Sequence, residues 1–187
     1  MQLIARWSAA ALALTLLHAA GASAADKTAK ASGDVKRGRY LVSYGGCHDC
    51  HTPKKMTPEG PQPDMSRALS GHPANAPLAP VPKEALGPGK WTAVANEHFT
   101  AWAGPWGVSF AANLTPDKRT GLGNWTVEQF IKTMRTGKHF GAGRPILPPM
   151  PWFNVDVLTD ADLRAVFAYL MTLEPVDNPV PPPVPPK

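Results

Sequence analysis

The residues with the clearest chemical potential are Cys47, Cys50 and His51, within the stretch Cys47-His48-Asp49-Cys50-His51. Two thiols three residues apart can add to the two vinyl groups along one edge of a porphyrin. The next side chain then lies beneath the iron, where an imidazole nitrogen can ligate it. Cys-x-x-Cys-His is the attachment sequence of a c-type haem. We therefore predict one haem c per chain, covalently bound through Cys47 and Cys50, with His51 as an axial ligand of the iron.

Three other uses of this pattern fit the sequence less well. A thioredoxin-like redox centre lies in an alternating strand–helix pattern, which this chain lacks. A structural zinc site needs a second ligand pair, and His72 and His98 do not form a close one. A disulfide between the two cysteines, which are the only ones in the chain, would leave His51 without a role.

The N-terminus has the pattern of an export signal. Arg6 gives the first residues a positive charge, and residues 7–20 are mostly apolar or small. Ala22-Ser23-Ala24 fits the Ala-x-Ala pattern of a signal-peptidase cleavage site. The apolar stretch is too short for a confident membrane span, and no later segment is a candidate. We predict a signal peptide at residues 1–24, and a periplasmic protein without a transmembrane segment after cleavage.

The charge balance is mildly basic. The chain has 19 Lys and Arg residues against 14 Asp and Glu, a formal net charge of +5. No Lys/Arg-rich run is present, so no nucleic-acid partner is expected. A mild positive charge is consistent with weak steering toward an acidic partner surface, or simply with solubility.

The hydrophobic pattern predicts an all-α domain over residues 25–174, followed by a proline-rich tail over 175–187. The first helix is predicted at 34–44, before Gly45-Gly46. A capping box of Thr126 and Gln129 begins a second helix that stops at Gly137, and the last begins at Thr159 and ends near Glu174. Residues 53–90, with nine prolines, are predicted as loop, and residues 108–112 as a short strand.

Met150 is the preferred candidate for a second axial ligand. It lies between prolines in Pro148-Pro149-Met150-Pro151, which disfavours a helix or central strand and holds the thioether on a stiff loop. The alternative is that Met150 fills a gap in the core. Met134 belongs to a helical apolar stripe and is predicted to be a core residue.

Aromatic residues between 91 and 125 are mostly expected to be core residues. Trp125 is singled out because its indole N–H needs a partner if it is buried. A haem propionate is a suitable acceptor, so Trp125 is a candidate propionate contact.

The order of these features resembles class I cytochrome c: an N-terminal helix, the haem motif, loops, a ligand methionine and a C-terminal helix. The resemblance implies that the N- and C-terminal helices cross closely, with Gly38 and Tyr169 at the crossing. It also implies that Met150 is the distal ligand.

The chain resembles more closely the haem domains of cytochrome subunits of bacterial periplasmic alcohol, aldehyde and gluconate dehydrogenases. Those subunits usually carry three haem motifs, whereas this chain has one. The resemblance implies electron transfer rather than catalysis, with a periplasmic dehydrogenase as donor and an oxidase or another cytochrome of the respiratory chain as acceptor. The motifs that carry it are Cys47-His48-Asp49-Cys50-His51-Thr52-Pro53, Asn113-Leu114-Thr115-Pro116-Asp117, Thr120-Gly121-Leu122-Gly123, Trp125 and Leu147-Pro148-Pro149-Met150-Pro151.

Two other functions stay open. A peroxidase-like enzyme or ligand sensor would have an open distal side, with His72, His98 or His139 in the distal pocket, and would bind carbon monoxide readily when reduced. A docking subunit with a purely structural haem would not be reduced by a co-purifying dehydrogenase.

Overall fold

The computed structural model describes residues 31–186, so the predicted signal peptide at 1–24 lies outside the described residues. No helix of residues 31–186 is long and apolar enough to cross a membrane. The helices of this range are α1 (31–44), α2 (Cys47–His51), α3 (Val127–Thr136), α4 (Trp152–Asp156) and α5 (Asp160–Leu170). The strands are β1 (Lys54–Thr57), β2 (Gly60–Pro63), β3 (Val94–Ala95), β4 (Ala101–Gly104) and β5 (Gly107–Phe110).

The predicted all-α fold class is wrong, because the chain also forms two antiparallel sheets. β1 and β2 make a two-stranded sheet directly after the haem motif, with Lys54 opposite Pro63 and Thr57 opposite Gly60. This hairpin lies in the segment predicted as loop from its prolines. Proline is tolerated in edge strands, and both strands of a two-stranded sheet are edges, so the composition did not exclude them.

The second sheet has the order β3-β4-β5 and includes the predicted strand at 108–112, which is observed as β5. β4 and β5 are joined by the turn Pro105-Trp106, and Gly107 follows it with a φ of 91°. β4 has only four residues and alternates between buried alanines and half-buried positions. Such a short run, with only alanines at its buried positions, gives too weak an alternation for a strand to be predicted.

The predicted helix signals are confirmed at three ends. Thr126 and Gln129 form the capping box of α3, and Gly137 ends that helix in the left-handed conformation. The Thr159 side chain accepts a hydrogen bond from the Asp162 N–H at the start of α5. The end of α5 was predicted too late, since the helix stops at Leu170 and turns follow it.

The predicted crossing of α1 and α5 is confirmed at Gly38. A Cβ atom on Gly38 would collide with the main-chain carbonyl of Ala165 and would lie 2.8 Å from the Cβ of Tyr169. Beside this contact Arg37 and Asp162 form an ion pair with an N–O distance of 2.8 Å. The absence of a side chain at Gly38 therefore lets the two helices touch.

The helices and the loops between them enclose one main apolar cluster. Met134 packs against it, as predicted for a core residue. The cluster ties the first and last helices to α3 and to the loop that follows the haem motif. Its buried members are Leu41, Val42, Leu69, Leu122, Phe130, Ile131, Leu163, Val166 and Leu170.

The proline-rich tail lies along the domain. The N–H of Val176 donates to the hydroxyl of Thr115 at 3.1 Å. Further on, Val184 exchanges two main-chain hydrogen bonds with Val108 of β5, at 2.8 and 2.9 Å. The tail thus adds contacts to the sheet and to the loop after it.

We predict that Gly38→Ala destabilises the fold by about 1–3 kcal/mol, because the added methyl group overpacks the helix crossing. Gly33→Ala is the matched control, since Gly33 is also on α1 and a Cβ there meets nothing within 4 Å. It should be neutral or stabilise by up to about 1 kcal/mol. Urea unfolding of both variants measures this. Equal stabilities for the two variants would place the crossing elsewhere.

Candidate haem site

The two cysteines lie on one short helix. α2 begins after Gly46, which has a left-handed φ of 64°, and ends before Thr52. Cys47 and Cys50 are free thiols, each half-buried. Residues three apart on a helix are on the same side, so both sulfur atoms are available to one edge of a porphyrin. Burial raises the pKa of Cys47 to about 11 and also raises the pKa of Cys50.

His51 is buried and oriented by a main-chain hydrogen bond. Its Nδ1 lies 2.8 Å from the carbonyl oxygen of Ala112. A carbonyl can only accept, so this contact assigns the proton to Nδ1 and leaves the lone pair on Nε2. A histidine that ligates a metal usually has its other nitrogen held in this way. Burial also lowers the pKa of His51, which favours the neutral imidazole that can act as a ligand.

The carbonyl of Ala112 is held in place by the segment 69–72. His72 N–H donates to Ala111 O at 2.9 Å, and Leu114 N–H donates to Leu69 O at 2.9 Å. Between these bonds lies Gly71, with a φ of 80°, where a Cβ would be 2.7 Å from Ala112 O. A side chain at this position would therefore push away the acceptor of His51.

Segment 69–72 also contacts the haem motif directly. Gly71 N–H donates to the carbonyl of His51 at 2.8 Å. Thr52, fully buried, accepts the Leu69 N–H with its hydroxyl at 2.9 Å and contacts His48 Nδ1 at 2.8 Å. Neither the Ala112 carbonyl nor the Thr52 hydroxyl was predicted to hold the motif, because a main-chain carbonyl has no residue signature and a threonine in a motif does not reveal its hydrogen-bond partner.

Met150 lies half-buried in the loop between α3 and α4. Two hydrogen bonds to main-chain carbonyls hold this loop: Ser109 Oγ donates to Pro148 O at 2.5 Å, and Ile146 N–H donates to Gly137 O at 2.7 Å. Ser109 is on β5, and Ala112 follows that strand by two residues. The same stretch of chain therefore contacts both the His51 side chain and the Met150 loop. Iron ligation by Met150 stays a prediction.

Trp125 is half-buried and stacks on the Phe140 ring, with centroids 4.3 Å apart and planes at 29°. The His139 ring packs edge-on against Trp125, with 6.1 Å between the ring centroids. Trp102 and Trp106 donate their indole N–H groups to Phe99 O and Ser109 Oγ. Within residues 31–186 the Trp125 indole has no such bond. This is compatible with a propionate contact, which stays a prediction.

Of the three histidines considered for a distal pocket, two have hydrogen-bond partners through Nδ1. His72 is buried, contacts Thr100 Oγ1 at 2.9 Å and packs against Phe110 at 4.9 Å between ring centroids. His98 Nδ1 lies 2.9 Å from Lys54 O. His139 contacts Trp125, as described above. The environments of His72 and His98 are those of histidines that stabilise the fold.

The Asn113–Asp117 motif shapes a loop. Asn113 accepts the Thr115 N–H and hydroxyl through Oδ1 at 3.0 and 2.8 Å, and donates to Val176 O in the tail at 2.7 Å. The Asp117 carboxylate accepts the N–H groups of Arg119 and Thr120. Because Asn113 directly follows Ala112, the motif fixes the chain beside the acceptor of His51.

These donors fit a covalently attached haem. Two free thiols lie on the same side of one short helix, and a buried imidazole is fixed with Nε2 as its free nitrogen. A thioether lies on a loop that is held by the same strand region. Histidine and methionine form the usual axial ligand pair of c-type cytochromes.

Comparison with known proteins gives the same class. The gluconate 2-dehydrogenase cytochrome c subunit of Pantoea cypripedii is 30% identical over 137 residues, which cover 73% of this chain and 22% of the subunit. The alcohol dehydrogenase (quinone) cytochrome c subunit of Gluconobacter oxydans is 28% identical over 137 residues, 73% of this chain and 21% of the subunit. The fructose dehydrogenase cytochrome subunit of Gluconobacter japonicus is 42% identical over 82 residues, 43% of this chain and 17% of the subunit.

The chain is thus homologous to cytochrome c subunits of bacterial dehydrogenases, and the resemblance inferred from its motifs is confirmed. It spans about a fifth of the length of these relatives. No protein-family model matches the chain. The similarity supports an electron-transferring, haem-binding protein.

We predict that His72 makes stability depend on pH. Burial lowers its pKa from 6.5 to about 4, so the folded state binds fewer protons than the unfolded state between these values. The free energy of unfolding should therefore fall as pH drops from about 6.5 to 4, by at most about 3 kcal/mol from this group.

His72→Gln tests this, since glutamine can still bond Thr100 but does not titrate. Urea unfolding of the parent and the variant at several pH values gives the difference between their free energies of unfolding. The contributions of the other titrating groups cancel in this difference. The parent should lose stability relative to the variant as the pH falls from about 6.5 to 4. Parallel curves would show that His72 does not titrate in this range.

Proposed function

We propose that this chain is a periplasmic c-type cytochrome that carries single electrons. One haem c is bound covalently by Cys47 and Cys50 and ligated by His51 and Met150. The observation that carries the proposal is the hydrogen bond from His51 Nδ1 to Ala112 O, directly after two free thiols at attachment spacing. A haem bound here supplies one-electron chemistry, its iron alternating between the ferric and ferrous states.

The residues of the chain favour electron transfer over catalysis at the iron. His51 would hold the iron through a buried and fixed imidazole. Met150 would hold it from a loop stiffened by prolines on both sides, which would leave no open position for a substrate. A nitrogen–thioether pair also raises the reduction potential, which suits an acceptor of electrons from a dehydrogenase.

We infer that the electron donor is a periplasmic dehydrogenase and the acceptor an oxidase or another cytochrome of the respiratory chain. The relatives, named as subunits of fructose, gluconate and alcohol dehydrogenases, support a dehydrogenase partner. The export pattern at residues 1–24 supports the periplasm, because cleavage after Ala24 would release the domain there. Trp125 is proposed to contact a haem propionate through its indole N–H.

The central test is expression with residues 1–24 in a bacterium that attaches haem c. The denatured protein should have the mass of the cleaved chain plus one haem. A Cys47→Ser/Cys50→Ser double variant is the matched control and should lack the covalent haem. Parent protein without haem in these cells would contradict the proposal.

A second prediction concerns the distal ligand. Met150→Ala should lower the reduction potential, because loss of the thioether disfavours the ferrous state, and the reduced variant should bind carbon monoxide quickly. The measurements are a redox titration and the sulfur–iron absorption band of the ferric protein.

Two variants act as controls for Met150. Met134→Ala removes a core methionine, and Met65→Ala removes one that is 60% exposed. Both should keep the sulfur–iron band. Loss of the band in Met134→Ala and its retention in Met150→Ala would assign the ligand to the other methionine. Rapid carbon monoxide binding by the parent would favour an enzyme or sensor with an open distal side.

A further inference from the structure

A buried lysine lies against the helix that carries the haem motif. Lys54 is the first residue of β1 and is only 8% exposed. Its Nζ donates to three main-chain carbonyls, those of His48 at 3.1 Å, Asp49 at 2.8 Å and Thr52 at 2.7 Å. An ammonium group has three donors and no acceptor, so every donor of Lys54 has a partner.

Two of these acceptors, the carbonyls of Asp49 and Thr52, are ones that the short helix cannot satisfy itself, whereas the carbonyl of His48 also accepts the Thr52 N–H at 3.2 Å. The last carbonyl groups of a helix lack partners within it and carry the negative end of its dipole. α2 has five residues, so most of its carbonyls are in this situation. The carbonyl of His51 is taken separately by the Gly71 N–H at 2.8 Å. Lys54 therefore completes the hydrogen bonding around the C-terminal end of α2.

The main chain of Lys54 is fixed as well. Its carbonyl lies 2.9 Å from His98 Nδ1, and its pairing with Pro63 begins the β1–β2 sheet. A lysine is rarely buried without such partners. The main chain of Lys54 is thus held by the sheet, and its ammonium group is held by the carbonyls of α2 and Thr52. The side chain therefore connects the β1–β2 sheet to α2.

We propose that Lys54 is a positioning residue for the haem: its ammonium group holds the C-terminal turn of α2, and with it His51, and places a fixed positive charge beside the attachment helix. This inference rests on the proposed function. A positive charge near the iron disfavours the ferric state, which has one more positive charge than the ferrous state. Loss of this charge also leaves carbonyl dipoles uncompensated, and both effects lower the reduction potential.

Lys55 provides a matched control. It carries the same charge one residue further along β1, but its side chain is 63% exposed and pairs with Asp64 at 3.0 Å. Asp64 also contacts Arg67 at 3.2 Å and keeps this partner when Lys55 is replaced. Lys55→Met therefore removes a positive charge near the motif without removing a bond to α2.

The experiment compares the parent with Lys54→Met, Lys54→Arg and Lys55→Met, each purified with its covalent haem. Redox titration should show a lower reduction potential for Lys54→Met. Lys54→Arg keeps the charge and donors, so it should recover at least part of the shift, and Lys55→Met should stay close to the parent. The yield of covalent haem should be lowest for Lys54→Met, higher for Lys54→Arg, and close to that of the parent for Lys55→Met.

Equal shifts of the reduction potential for Lys54→Met and Lys55→Met would mean that only net charge matters and would overturn the proposal. An unchanged reduction potential in Lys54→Met would also overturn it.

If Lys54→Met yields no holoprotein, recovery of holoprotein in Lys54→Arg supports the proposal. If both variants fail, acetylation of native parent decides: Lys54 should be protected relative to Lys55, and equal modification overturns the proposal. A parent without haem would instead contradict the proposed function.

Discussion

The structure depends above all on one hydrogen bond, from His51 Nδ1 to the carbonyl of Ala112. An imidazole offers two nitrogens, and a neutral ring can present either one as a ligand. The carbonyl acceptor removes this freedom, since it requires the proton on Nδ1. Ala112 is 61 residues from His51 along the chain, so the haem motif cannot supply this constraint locally. The fold has to bring the acceptor to the motif and hold it there.

Segment 69–72 and the tail provide this support. The segment bonds to the chain around Ala112 on one side and to the His51 carbonyl on the other. The side-chain amide of Asn178, in the tail, holds the segment and the residues after it. Its Nδ2 donates to Ser70 O and His72 O, and its Oδ1 accepts the Ala74 N–H. Proline has no N–H to donate, so the few other residues of the tail make its bonds. The tail is therefore part of the support of the proposed haem site.

The parts predicted correctly are those that the sequence encodes over a few residues. The capping box of Thr126 and Gln129 lies within one turn, and the stop at Gly137 needs only a left-handed residue. Gly38 could be placed because the family resemblance supplied its partner. The hairpin β1–β2 was missed because its prolines suggested a loop. Lys54 was missed because nothing in its sequence neighbourhood distinguishes it from the exposed Lys55, and burial depends on contacts made after folding.

The two sides of the proposed haem site are held in different ways. The His51 side is fixed by hydrogen bonds to two separated segments, 69–72 and the chain at Ala112, together with the Lys54 ammonium group. The Met150 side depends on a loop whose stiffness comes from its prolines, with anchors at Ser109 and Gly137. A group that exchanges one electron needs the same ligands before and after the exchange, and preorganised surroundings lower the cost of that change. A buried network on one side and a proline-restricted loop on the other both limit movement. They differ in what a mutation would disturb, because the network joins His51 to residues distant in sequence, whereas the loop carries Met150 between its anchors at Ser109 and Gly137.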